Sequence, residues 1–182
     1  MKIVKKILLG IAVIIAIALI AGLFMDNEFA IGREVTINKP KDEVFAYVKS
    51  LKNQNNYSKW ALMEPGMKKE FRGTDRTVGF VSAWEGNDVG KGEQEIRRIM
   101  EGEQVDFEVR FEKPFRSVAQ SHIRTEALPE ANTRVRWDFE GRNKYPMNVM
   151  NGLMKWSLGR DLQTGLNNLK SILETGQIAE AK

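Results

Sequence analysis

The chain has 182 residues, enough for one ordinary domain and an appendage, and its formal net charge is +4. Three of the 28 basic residues, Lys2, Lys5 and Lys6, precede a hydrophobic segment, so the remainder is nearly neutral, unlike a nucleic-acid-binding protein. The lack of cysteine excludes disulfides and a thiol nucleophile, and a single histidine excludes a histidine-rich metal site. We expect no metal, no cofactor and no nucleic-acid partner.

The N-terminal segment is a candidate membrane anchor. Ile7 to Met25 is an uninterrupted apolar run of 19 residues, long enough to cross about 30 Å of hydrocarbon as a helix. Lysines precede the run and acidic residues follow it, which predicts a cytoplasmic N-terminus and an extracytoplasmic domain. A cleaved signal peptide is an alternative, because an A-x-A pattern ends at Ala18, but the run continues beyond it. A buried core helix is another, although the run has no polar face. We predict that residues 1–26 are a retained, single-pass anchor.

One strand and two short helices are predicted next. Phe29 to Ile37 alternates weakly in polarity, as a strand does. Pro40 and the acidic residues after it then begin a helix whose apolar residues continue to Leu51. A second short helix is expected between Tyr57 and Met63, ending before a Pro-Gly pair.

Further along, the period of the apolar residues changes to two, and glycine-containing turns separate the segments. The clearest segment alternates Val105, Phe107, Val109 and Phe111 with charged residues, which predicts one buried and one solvated face. Six strands are predicted here: Met67–Phe71, Thr77–Trp84, Gly90–Met100, Gln104–Phe111, Val118–Leu128 and Thr133–Gly141.

The last long segment, Pro146 to Glu174, has apolar residues at spacings of three and four, which predicts a helix of about 25 residues. Its apolar stripe must be buried against something equally long, and the strands supply that partner. We therefore predict an α+β fold, in which a curved antiparallel sheet of about seven strands surrounds a long C-terminal helix. The domain should span residues 27–175, followed by a tail of residues 176–182.

This order of elements, with several local sequences, resembles the helix-grip superfamily, also called START-like or SRPBCC. The superfamily includes polyketide cyclase/dehydrase-like proteins and lipid-transfer domains, and the membrane-attached form looks like a group of bacterial members. The resemblance implies a helix-grip fold with a ligand between the sheet and the C-terminal helix; it implies no catalytic motif and no ligand identity. The matching sequences are Val35–Pro40 leading into Asp42–Phe45, Trp60, Gly90–Ile96, Thr133–Gly141 and Gly159–Lys170.

The candidate ligand-binding residues lie on the predicted inner face of the sheet and on the facing side of the long helix. Aromatic side chains opposite flexible thioethers suit a hydrophobic ligand of variable shape. Gln94 could orient a ligand carbonyl or hydroxyl, or bond to a neighbour or a buried water. The alternative that the same residues fill a solid core stays open. The candidates are Phe80, Trp84, Gln94, Phe107, Val109, Trp137, Phe139, Met150 and Met154.

No catalytic constellation is predicted. Ser82 and Ser121 have no evident base, because a serine triad needs a histidine with a carboxylate partner and His122 falls on the solvated face. Acidic residues two positions apart on the outer faces are interpreted as cross-strand charge pairs. Glu64 and Arg72 are the nearest candidates for chemistry, in a loop region near the mouth of the expected cavity.

Three functions are consistent with these observations. We expect a membrane-tethered, non-catalytic binding domain for a hydrophobic small molecule or lipid. The alternative is a cyclase- or hydrolase-like enzyme acting on an aromatic or polyketide-type substrate, which would need a buried titratable group aimed into the cavity. The third is an interaction module, which a large exposed apolar patch outside the groove would favour.

Overall fold

The computed structural model describes residues 2–178, so the expected C-terminal tail is described only as far as Ile178. An apolar helix, α1 (Lys2–Gly22), leads into a seven-stranded antiparallel sheet with the spatial order β1-β7-β6-β5-β4-β3-β2. The first and last strands of the chain therefore pair, and β2 forms the opposite edge. The strands are β1 (Glu28–Ile37), β2 (Lys68–Arg72), β3 (Val81–Glu85), β4 (Lys91–Met100), β5 (Gln104–Lys113), β6 (Ser117–Leu128) and β7 (Asn132–Arg142).

Helices occupy the β1–β2 connection and the C-terminus. The predicted sheet of seven strands against one long C-terminal helix is confirmed. The second predicted short helix begins at Lys59 instead of Tyr57, because Ser58 has an extended backbone (φ −61°, ψ 127°), and a helix of four residues precedes it where none was predicted. The helices are α2 (Lys41–Val48), α3 (Gln54–Tyr57), α4 (Lys59–Met63), a 3-10 helix (Met147–Met150) and α5 (Asn151–Thr175).

Side-chain alternation in the central strands separates a buried inner face from a charged outer face. The inner face has the predicted register: Val105, Phe107, Val109, Ala119, Ser121, Ile123, Val135, Trp137 and Phe139 are all buried. On the outer face, Arg110 pairs with Glu93 and Glu95, each at 2.8 Å, and with Glu108. Burial lowers the pKa of Arg110, but its hydrogen bonds to these carboxylates outweigh that effect and raise it. The paired acids therefore belong to a salt-bridge network on the outer face.

The strand β3 begins later than predicted. Phe80 N donates a hydrogen bond to Thr77 O at 3.2 Å, and Gly79 between them has a left-handed backbone (φ +87°). This turn requires a positive φ, which glycine adopts without strain. Residues 77–79 therefore form a turn, and Val78, which lies in the predicted strand Thr77–Trp84, is exposed.

Helix α5 is only partly packed on the sheet. Leu162, Leu166 and Leu169 are completely buried, so the second half of the apolar stripe forms the core as predicted. In the first half, Leu153 is 58% exposed and Met154 is 37% exposed. The start of α5 therefore stands away from the sheet, and this separation leaves space between them.

Helix α1 is separate from this core. Its segment Ile3–Gly22, 20 residues, is long and apolar enough to cross a membrane, and the same properties fit a signal sequence. Eighteen consecutive residues of that segment include no buried residue, so it is not the core helix considered as an alternative. Its last turn meets the domain beside the 3-10 helix before α5.

Candidate functional site

A cavity of about 360 Å³ lies between the inner face of the sheet, helices α3 and α4, and the first half of α5. Small-molecule sites commonly have volumes of about 300–1,000 Å³ and mainly apolar walls. The lining here is mainly apolar and includes Phe29, Trp84, Phe111 and Leu158. The cavity exists because α5 packs tightly on the sheet only beyond its first two turns.

Trp137 forms the deep wall and is fixed in place. Its Nε1 donates a hydrogen bond to Ser121 Oγ at 2.9 Å, and that hydroxyl donates to Asp138 O at 3.2 Å. The rings of Tyr57 and Trp60 meet the indole edge-on, with centroids 5.8 and 6.2 Å away. Such aromatic pairs add to the stability that burial alone provides. Ser121 thus orients the wall, and its hydroxyl is already engaged.

Two glutamine side chains give the cavity hydrogen-bonding capacity. Gln54 lines the cavity and is 9% exposed, and its buried Nε2 has no hydrogen-bond partner among residues 2–178. The neighbouring Tyr57 hydroxyl also has no partner at hydrogen-bonding geometry within that range. Burial raises the pKa of Tyr57, and the nearby Gln54 side chain opposes this only weakly, so the phenol stays protonated. Gln94, on β4, also lines the cavity and is half-buried. A buried polar group without a partner is costly, so the Gln54 amide is suited to a ligand's polar atoms, and Gln94 offers a second amide in the lining.

One ion pair belongs to the wall formed by α5. Asp161 lines the cavity and accepts a hydrogen bond from Lys59 Nζ. Its side chain is 15% exposed. Within the described lining it is the one carboxylate, and Lys69 and Arg142 are the other charged residues.

The Glu64 carboxylate fixes one side of the cavity without entering it. It accepts hydrogen bonds from the backbone N–H groups of Asn87 (2.8 Å), Asp88 (3.0 Å) and Val89 (3.3 Å). These bonds lower the pKa of Glu64, because they stabilise its charged form. Trp84 Nε1 reaches Val89 O at 3.4 Å, and both residues line the cavity. Glu64 thus joins the end of α4 to the β3–β4 turn.

Arg72 is not in a loop at the mouth, so that part of the expectation was wrong. It lies in β2 and pairs with Glu93, and with Glu70 at 3.6 Å. The alternation of β2 and its cross-strand neighbours directs its side chain to the outer face. His122 is likewise on that face, with Nδ1 2.7 Å from Asp106 Oδ1.

The candidate ligand-binding residues divide into two groups. Phe80 and Phe107 are in the solid core, 1% and 0% exposed, and Met150 is at the surface, 40% exposed; none of the three lines the cavity. Sequence reasoning missed Gln54, Trp60 and Asp161, which lie on helices where no pattern distinguishes a cavity wall from a surface. The candidates that line the cavity are Trp84, Gln94, Val109, Trp137, Phe139 and Met154.

A protein-family model matches this domain. The model, described as polyketide cyclase / dehydrase and lipid transport, matches residues 29–174, nearly everything that follows α1. The chain belongs to this family. The helix-grip resemblance inferred from local sequences is thereby confirmed. The family description covers both enzymes and lipid carriers, so membership leaves both functions open.

Solved structures share the fold of this family member. Protein jhp0584 from Helicobacter pylori has a TM-score of 0.61 and 10% identity, over 80% of this chain and 88% of that one. CV1439 from Chromobacterium violaceum has a TM-score of 0.57 and 14% identity, over 81% and 97%. DynU16, from the dynemicin biosynthetic locus, has a TM-score of 0.60 and 16% identity, over 82% of this chain but 48% of its own. These identities establish the fold alone. No curated protein matches this family member in sequence.

Proposed function

We propose that the protein is a membrane-tethered binding protein for a hydrophobic small molecule or lipid, held in the cavity between the sheet and α5. The observation that carries the proposal is the cavity itself. About 360 Å³ of mainly apolar space remains inside a domain whose core is otherwise packed, and it includes an unpartnered amide at Gln54. Packed interiors contain few voids larger than a water molecule, so a space of this size suggests an occupant.

The lining indicates the chemistry of that ligand. Aromatic walls at Trp84, Phe111 and Trp137 favour a flat or flexible apolar body. The amides of Gln54 and Gln94 can each donate a hydrogen bond to a carbonyl, carboxylate or hydroxyl oxygen. The ligand is therefore amphipathic, with an apolar body and an oxygen-containing polar group.

The tether is α1. Twenty residues of apolar helix extend about 30 Å, the thickness of the hydrocarbon core. The lysines at the start of α1 favour a cytoplasmic N-terminus by the positive-inside rule, with the domain on the other side of a membrane. Retention of α1 keeps the cavity close to that membrane.

A photoactivatable fatty acid bearing a diazirine tests the proposal with the full chain in phosphatidylcholine vesicles. We expect crosslinks on peptides that carry cavity residues such as Val109 and Ala119, beyond those on α1. Met154→Trp should reduce the cavity crosslinks, because Met154 lines the cavity and is exposed enough to accept a larger ring. Met63→Trp is the matched control, since Met63 is an exposed methionine that lies outside both the cavity and the end of the domain beside α1. Crosslinks confined to α1, or equal losses in both variants, would contradict the proposal.

A second candidate is a cyclase- or hydrolase-like enzyme, and Asp161 is the observation that favours it. This carboxylate lines the cavity beside Lys59, so it could take part in proton transfer. The molecule that co-purifies with the protein can be identified by mass spectrometry and returned to ligand-free protein. A product of altered mass that forms with the wild type but not with Asp161→Asn would establish catalysis. Recovery of the unchanged molecule would favour binding alone.

A further inference from the structure

Large apolar side chains are exposed mainly at one end of the domain. This end is where β1 begins and where β5 and β7 finish, so it adjoins α1. The turns at the opposite end, residues 101–103 and 129–131, contain Glu-Gly-Glu and Pro-Glu-Ala. We name the exposed group the apolar rim, and its members are 40% to 72% exposed: Phe115, Tyr145, Met147, Met150, Leu153 and Trp156.

Hydrogen bonds attach this end of the domain to the last turn of α1. Asn148 Nδ2 donates to the carbonyl oxygens of Gly22 at 2.7 Å and Met25 at 2.9 Å. Asn151 Nδ2 donates to Asp26 O at 2.9 Å. The last carbonyls of a helix have no partner within the helix, and Asn148 satisfies that of Gly22; Met25 and Asp26 lie in the chain just after α1. The 3-10 helix and the start of α5 are therefore held at the level where α1 ends.

This attachment sets the distance between the apolar rim and a membrane. If the uncharged run Ile7–Met25 crosses the hydrocarbon, its 19 residues span about 30 Å and place the end of α1 at the hydrocarbon boundary. Because α5 begins beside the end of α1, residues Asn151 to Trp156, about 9 Å of helix, lie within about 9 Å of that level. The headgroup layer on each side is of the order of 5–8 Å thick, so most of the rim lies within it or just above it.

The residue types of the apolar rim match that layer. Tryptophan and tyrosine are enriched at membrane interfaces, and Trp156 and Tyr145 are 59% and 46% exposed. The Arg160 guanidinium lies 4.7 Å from the centroid of the Trp156 ring. Long cationic side chains beside apolar surface can extend their charge to the headgroups, and Lys144 and Lys155 flank the rim in sequence.

We infer that the apolar rim is a membrane-docking surface, which rests on the bilayer that α1 crosses and turns the cavity mouth towards the lipid. The inference rests on the proposed membrane tether. Val118, Arg142 and Met154 line the cavity and are exposed at this same end. A hydrophobic ligand can therefore pass between the bilayer and the cavity with little contact with water. Exposed apolar surface of this kind is costly in water and marks a binding surface.

Fluorescent labels can test this arrangement directly, because the chain has no cysteine. Single variants Leu153→Cys, Val78→Cys and Ile14→Cys of the full chain would be labelled with bimane and reconstituted in phosphatidylcholine vesicles. Val78 is the control for the apolar rim, because it is 60% exposed but lies in the turn before β3 at the other end of the sheet. Ile14 lies in the middle of α1 and reports on the tether.

Lipids with a nitroxide on the headgroup should quench the Leu153 label strongly and the Val78 label weakly, and acyl-chain nitroxides should quench the Ile14 label. Quenching of Ile14 with equal, weak quenching of Leu153 and Val78 would overturn the docking inference and leave the tether standing. Shielding of Leu153 from both lipid nitroxides and aqueous iodide would also overturn it, in favour of a second protein copy on the rim. No quenching at Ile14 would contradict the tether itself, and the docking inference with it.

Discussion

Gly165 of α5 lies directly against the indole of Trp137. A β-carbon at position 165 would come within 2.9 Å of Trp137 Cζ3, a distance that real side chains do not adopt. At Gly159, the other glycine in the packed part of α5, an added β-carbon would lie 2.5 Å from the guanidinium of Arg33. The first neighbour is a ring fixed on both sides, and the second is the end of a flexible side chain. Of these two positions in α5, only position 165 therefore requires glycine for packing.

Alanine at the two positions should have opposite effects. Gly165→Ala should reduce the free energy of unfolding by about 1–2 kcal/mol, since overpacking costs about 1–3 kcal/mol and the gain in helix propensity offsets about 1 kcal/mol or less. Gly159→Ala should be neutral or stabilising by up to about 1 kcal/mol, because Arg33 can move. Denaturant unfolding of both variants checks the pair. Equal shifts would show that Trp137 does not restrict position 165.

Replacement of Trp137 tests whether the deep wall is also structural. Trp137→Ala should cost about 3–5 kcal/mol, because the ring is 3% exposed and packs against Tyr57 and Trp60. Trp156→Ala is the matched control and should change stability by about 0.5 kcal/mol or less, since Trp156 is 59% exposed. A small loss for Trp137→Ala would indicate that the ring mainly lines open space.

The sheet and the long helix could be predicted because their burial is periodic. In β5 every second side chain from Val105 to Val109 is buried, and in β7 every second one from Thr133 to Phe139, where Asp138 on the outer face is buried as well; a period of two is therefore visible in the sequence itself. The stripe of α5 from Leu162 to Leu169 is equally regular. Local turn chemistry was harder to predict: the left-handed Gly79 shortens β3, and the extended Ser58 delays the start of the second predicted short helix.

The cavity could not be predicted in the same way, because a cavity wall and a core have the same residue pattern. Phe107 and Val109 are both inward-facing residues of β5, yet only Val109 lines the cavity. The difference is set by where α5 separates from the sheet, which is a property of tertiary packing. Gln54 was missed for a related reason, since a glutamine on a helix of four residues has no sequence signal of burial.

Acid should release the β3–β4 turn from Glu64. Three backbone N–H groups lower the pKa of the Glu64 carboxyl in the folded protein. The stability that these hydrogen bonds give the protein is therefore fully present above the unfolded pKa of about 4.3, and it is lost as the pH falls through the pKa of the folded state. Glu64→Gln should therefore be less stable than the wild type at pH 7, and the difference should shrink below about pH 4. Unfolding measured from pH 7 to pH 3 checks this. Glu103→Gln, in an exposed turn, is the control and should show no such convergence.

The orientation of α1 can be tested in cells. A reporter that is active only outside the cytoplasm, fused after Lys182, should be active, because the lysines at positions 2, 5 and 6 hold the N-terminus in the cytoplasm. The fusion should also keep its full mass, as a retained anchor requires. Cytoplasmic activity would contradict the orientation, and loss of about 20 N-terminal residues would indicate a signal peptide.

Gln54 should affect stability and binding in opposite directions. Its Nε2 is buried without a hydrogen-bond partner in the described structure, so Gln54→Leu removes an unsatisfied polar group while it keeps a similar shape. Such a replacement can be neutral or stabilising for the ligand-free protein, because the desolvation penalty, about 1–3 kcal/mol, disappears. The same variant should lose crosslinking to the photoactivatable fatty acid, since the ligand carboxylate loses its donor. Gln120→Leu, on the exposed face of β6, is the control and should change neither property. A Gln54→Leu protein that is destabilised and still crosslinks normally would show that the amide serves the fold and not the ligand.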